Sequence, residues 1–157
     1  MSELVTTYLQ DHHAGSSAGV EGFERVAEQH GDPEVRAAVA RLAQQIREDQ
    51  DSLQQIMDTV GASSSTIKDV AGWVGEKVAR LKPNERIAER SPLSDVLELE
   101  ALVMAVHAKG LLWKGLLAVD DERLDAGQLQ RLADRADAQR EELDRLRLGQ
   151  IHKLRQH

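Results

Sequence analysis

The sequence predicts an all-α fold: a four-helix bundle with a short extra helix in the long connection between its second and third helices. Three observations carry this. Alanine, leucine, glutamate, arginine and glutamine dominate the 157 residues, and all are good helix formers, whereas the aromatic residues are only Trp73, Trp113, Tyr8 and Phe23. Apolar residues recur at helical spacing along nearly the whole chain. Glycine and proline are sparse, and they fall where stop and start signals are needed.

The first helix is expected from Ser2 to about Gln29, with Val5, Tyr8, Leu9, His12, Ser16, Gly19, Phe23 and Val26 inward. Gly15, Gly19 and Gly22 weaken its middle, since an interior glycine costs about 1 kcal/mol against alanine. Either the helix breaks near Gly15 or Gly19 admits a close neighbour. His30-Gly31-Asp32-Pro33 then reads as a stop and a start: Gly31 left-handed, Asp32 a cap, Pro33 at the first helical position. So short a link makes the first two helices antiparallel.

The second helix runs from Pro33 to about Val60, with Val35, Val39, Leu42, Ile46, Asp49, Leu53, Ile56 and Val60 on one stripe and Gly61 ending it. After a serine-rich loop, Thr66 to about Leu81 reads as the short helix, presenting Ile67, Val70, Val74, Val78 and Leu81. Ser91-Pro92 opens the third helix, to about Val119, the most apolar and so the one expected to be most buried. Asp120-Asp121 marks a turn. The fourth helix starts near Asp125, with Leu129, Leu132, Ala136, Leu143, Leu146 and Leu154 inward.

The four main helices are matched at roughly 40 Å each, from the 1.5 Å rise per residue. They suit a single bundle domain, 1–157. A link of about thirty residues between the second and third helices is long enough to cross the bundle and leave those two helices parallel. An inserted helical hairpin in a plain up-and-down bundle is the other reading.

Composition excludes several classes. With a net charge of −7, the chain lacks the basic footprint that duplex nucleic acid needs. Without cysteine there is no disulfide, thiolate ligand or cysteine nucleophile. No uncharged run approaches the ~18 apolar residues of a membrane span, and no secretory signal is visible, so a cytoplasmic location is expected. No P-loop, dinucleotide-binding glycine pattern or G-x-S-x-G occurs.

A few polar residues share the apolar faces: His12 and Ser16 on the first helix, Asp49 on the second, Glu100 and His107 on the third, Gln139 on the fourth. Counting from the turns places His12, Asp49, His107 and Gln139 at about one height, with Glu100 two turns from His107. Two imidazoles and one or two carboxylates are chemically suited to Fe, Mn or Zn. The same groups can instead satisfy one another as a structural polar layer. His30, at a helix end, is expected to act as a cap.

The bundle plan, the long crossover and the inward polar residues resemble the ferritin-like superfamily. The resemblance covers most of the chain as architecture and implies inward carboxylates, for which Asp49 and Glu100 are the nearest candidates. The Glu-x-x-His of dinuclear members does not occur, because Leu9, Gln10, Ala27, Met104, Gly149 and Leu154 precede the histidines by three positions. Nor is any histidine pair spaced i, i+4. Two functions follow as expectations. One is a non-enzymatic bundle acting by self-association or by binding a protein partner. The other is a metalloprotein with a mononuclear or degenerate dinuclear site at His12, Asp49, His107 and Glu100.

Overall fold

The computed structural model describes residues 2–62 and 90–156. Four long helices account for almost all of them: α1 (Glu3–Gln29), α2 (Pro33–Val60), α3 (Pro92–Val119) and α4 (Ala126–Ile151), followed by a 3-10 helix at His152–Gln156. There is no strand among the described residues. The helix expected at Thr66–Leu81, with Trp73, lies outside them.

Each helix begins on an oxygen that relieves an orphan backbone donor. Ser2, Asp32, Ser91 and Asp125 accept the N–H groups of Val5, Glu34, Ser94 and Gln128. Pro33 and Pro92 occupy opening positions where no N–H is missed. Gly61 ends α2 in the left-handed conformation, as its lack of a Cβ allows, and Asp120 ends α3 in the same way. α1 is continuous, with no break at Gly15.

Gly31 corrects an expectation. It is not left-handed; α1 stops instead at His30, with φ −57° and ψ 141°. The glycine is required for space. A Cβ there would lie 2.6 Å from Asp95 Oδ2, so the Asp95 carboxylate would have to shift. Gly19, by contrast, has open space where its Cβ would be, so the close-approach reading does not apply to it.

α1 and α2 form one tightly packed hairpin, α3 and α4 a second, and the two hairpins meet through α1 against α3 and α2 against α4. The core between them holds Leu9, Phe23 and Val26 of α1 with Leu42, Ile46 and Leu53 of α2. Leu99, Leu102, Val106, Trp113 and Leu116 of α3 meet Leu129, Leu132 and Leu143 of α4. Each such side chain contributes about 1.5–3 kcal/mol by leaving water.

Polar contacts at one end fix the helix directions. The Gly31 N–H donates to Asp95 Oδ1 over 3.3 Å, and Asp95 is in the first turn of α3. The N-termini of α2 and α3 therefore lie together. Gln150 and Lys153 reach Asp32 Oδ2 at 2.9 and 3.1 Å, bringing the end of α4 to the same place. At mid-length Arg41 pairs with Glu142, and Arg135 with Glu48, so α4 runs antiparallel to α2. α2 and α3 are thus parallel, and Ala62 and Arg90 stand at opposite ends of the bundle. At the far end Ala62 is buried, its carbonyl accepting from Gln10 Nε2 at 3.0 Å.

α3 departs from expectation most. Among the described residues it is the helix long and apolar enough to cross a membrane by length and composition, yet only 33% of its most apolar window is buried. It is not the most buried helix, because a bundle buries one face of each member and α3 is apolar on more than one. Leu93, Leu97, Met104 and Leu111 face outward, between 52% and 65% exposed. Leu154, expected inward, is partly exposed in the 3-10 helix.

Candidate functional site: a buried lysine layer

The polar groups converge at mid-bundle around Asp49, which is 2% exposed. It sits on α2 between Ile46 and Leu53, one helical turn from each, so the apolar stripe that buries them carries it inward. Its partner is Lys109 of α3, whose ammonium donates to Asp49 Oδ2 and, over 2.5 Å, to Gln139 Oε1 of α4. Gln139 Nε2 in turn donates to Gln45 Oε1 at 3.0 Å and Asp49 Oδ2 at 3.2 Å. Arg135 brings its Nε within 3.5 Å of Asp49 Oδ1, while its Nη2 donates to Glu48 at 2.7 Å. Three helices are therefore tied at one level by an acid, a base and an amide.

Burial holds the Lys109 ammonium below its ordinary pKa, and the neighbouring Asp49 carboxylate partly restores it. The layer adjoins an open groove of about 480 Å³ between α2 and α4, lined by Gln45, Glu48, Arg135, Ala138, Gln139 and Glu142. Of the layer's own side chains, Gln139, Gln45 and Arg135 border the groove; Lys109 and Asp49 do not. The layer pairs opposite charges, although Asp49 Oδ1 and Arg135 Nε, 3.5 Å apart, complete no hydrogen bond.

The four residues read as ligands occupy different surroundings. Asp49 is in the layer. His107 is exposed on the outward face of α3. Glu100 is partly exposed and pairs with Arg147 at 3.6 Å. His12 packs edge-on against Tyr8, ring centroids 4.7 Å apart, and burial pushes its pKa down against the opposing pull of Asp11. At the level of Asp49, α1 meets α2 through Ser16, which accepts from Gln50 Nε2 at 2.8 Å. Among the described residues no group of three or more His, Asp or Glu side chains is placed to hold a metal ion.

Gln139 and Asp49 converge as the sequence indicates, whereas Lys109 and Arg135 were missed. A signal for Lys109 existed: it lies three residues after Val106 and four before Trp113, both in the core. Lysine is seldom buried, and its stem usually carries the charge outward, which hid it.

A second polar cluster was also missed. His30 is fully buried and caps the turn by an unexpected route, its Nδ1 accepting the Asp32 N–H at 3.1 Å. Its Nε2 lies 3.9 Å from Asp95 Oδ1, beyond hydrogen-bond distance. Asp95 also receives Arg90 at 2.9 Å, and Arg90 holds Glu98 by both nitrogens. Burial raises the Glu98 pKa, with Arg90 opposing. This cluster binds the α1–α2 turn to the start of α3.

Comparison with family models, with curated protein sequences and with solved structures finds no match for this chain.

Proposed function

We propose that this chain is a ferritin-like helical bundle that works by association with a protein surface rather than by catalysis, and that the outward face of α3 is the contact surface. The observation carrying this reading is the row of Leu93, Leu97, Met104 and Leu111 in water on the side of α3 opposite the core. Isolated exposed leucines are ordinary, but four large apolar side chains along one helix face, with only Glu100 and His107 between them, are a feature of interaction sites. The parallel course of α2 and α3, with Ala62 and Arg90 at opposite ends, supports the ferritin-like plan. The buried layer then serves to fix which helices face each other.

Charge placed on the face tests this. The double variant Leu97→Glu, Met104→Glu should keep its helical circular dichroism and melt within a few degrees of the wild type, because both side chains are exposed. It should lose any assembly that light scattering detects for the pure wild-type protein or native gels detect in an extract of its source cells. A large fall in melting temperature would instead make the face part of the chain's own core.

A further inference from the structure

The geometry points to a second copy of this chain as the occupant of the α3 face, packed antiparallel about a two-fold axis near residue 102. This rests on the association reading above and specifies its partner.

The outward residues Leu93, Leu97, Glu100, Met104, His107 and Leu111 are spaced by alternating intervals of four and three. That is the heptad seam of a two-helix interface, in which knobs repeat every 3.5 residues. Glu100 is 40% exposed by side chain, His107 is exposed, and Ala101 and Ala108 beside the seam are small enough to admit a neighbouring helix.

The row is self-complementary in one direction only. An antiparallel match about residue 102 sets Leu93 against Leu111 of the second copy, Leu97 against His107, and Glu100 against Met104. One turn apart across the seam, Glu100 of each copy then stands beside His107 of the other, so the two polar knobs meet as acid and base twice. A parallel match would set Glu100 against Glu100, which like charge disfavours, and would leave each Glu100 without a His107 of the other copy beside it. Isologous two-fold pairing of this kind is the commonest closed symmetry. A lipid surface fits less well, since Glu100, with its partner Arg147, and His107 would have to enter hydrocarbon. Leu148 of α4, 47% exposed, follows Arg147, the partner of Glu100.

The chain has no cysteine, so engineered thiols report geometry without background. Chains carrying Leu93→Cys and chains carrying Leu111→Cys are mixed and oxidised mildly. The expected product is the mixed disulfide. Neither variant alone should cross-link, because its own thiols lie about 27 Å apart across the axis, at 1.5 Å per residue. Sedimentation of the wild type should give twice the chain mass, and Met104→Glu should weaken dimerisation at least about tenfold, as for a central interface residue.

A wild-type monomer at 100 µM overturns the inference. If Leu97→Glu then leaves the melting temperature unchanged, a different protein partner, and with it the association reading, survives. If it lowers the melting temperature steeply, the face packs within the chain itself and both readings fail. Flotation of a monomer with phosphatidylglycerol vesicles would likewise assign the face to lipid. A dimer that cross-links through Leu93→Cys alone keeps association and overturns the antiparallel arrangement.

Discussion

The backbone N–H of Gly31 donates to the carboxylate of Asp95, 64 residues later in sequence and in the opening turn of α3. This one contact places the starts of α2 and α3 at the same end of the molecule. It also explains why residue 31 is glycine, since any Cβ would meet Asp95 Oδ2 at 2.6 Å. Arg90, anchored on the same carboxylate, fixes the chain as it enters α3.

Asp95→Ala should therefore destabilise the fold by about 2 kcal/mol, the usual cost of removing a charged acceptor from partly buried donors. Urea unfolding followed by circular dichroism measures it. A change below about 0.5 kcal/mol would mean that the turn and α3 are held together by apolar packing alone.

The Asp49–Lys109 pair makes a sharper prediction. Removing one partner, as in Asp49→Ala, leaves the other charge buried and should cost about 3 kcal/mol. Replacing both, as Asp49→Leu with Lys109→Met, should recover most of that loss, because a well-packed apolar pair avoids the desolvation of both ions. Unfolding free energies of the four species give the coupling directly. Additive losses would contradict a paired layer.

Asp32 predicts an acid dependence. Hydrogen bonds from Gln150 and Lys153 hold its carboxyl well below the ordinary value near 4. As pH falls through 4, the unfolded chain takes up a proton that the folded chain refuses, so this stabilisation is present above pH 4 and lost below it. Asp32→Asn keeps a capping oxygen but cannot titrate in this range. Its urea midpoint should fall less between pH 6 and pH 3 than that of the wild type. Equal falls would place the acid sensitivity elsewhere.

Gly15 and Gly19 lie within continuous α1 with open space around the position of a Cβ. Gly15→Ala and Gly19→Ala should each stabilise by up to about 1 kcal/mol, seen as a higher melting temperature. Destabilisation by either would mean that something packs against that side of α1.

Much of this fold can be read from the residues alone. Every member of the α2 stripe from Val35 to Val60, Asp49 included, is buried as the periodicity indicates, because α2 is apolar on a single face. The caps at Asp32 and Ser91 were equally legible, since cap chemistry is local. α3 was misread for the opposite reason. With leucine, valine or alanine on nearly every side, its sequence does not say which face is inner. His107 was assigned to the level of Asp49, but the side chain that reaches it is Lys109, two residues on and on the other side of the helix. Height along the bundle followed from counting, whereas the angle around α3 required the neighbouring helices. The His30–Asp95–Arg90 cluster joins residues far apart in sequence, and no local pattern announces it.

Association through α3 is tested most directly by the oxidation of Met104 with limiting hydrogen peroxide, followed by mass spectrometry across a range of protein concentrations. Met104 is 65% exposed, and fully buried Met57 is an internal control in the same molecule. Met104 should oxidise rapidly in dilute protein and become protected as concentration rises, while Met57 stays protected throughout. Protection of Met104 equal to that of Met57 at every dilution, or rapid oxidation at every concentration, would contradict an association surface on this face.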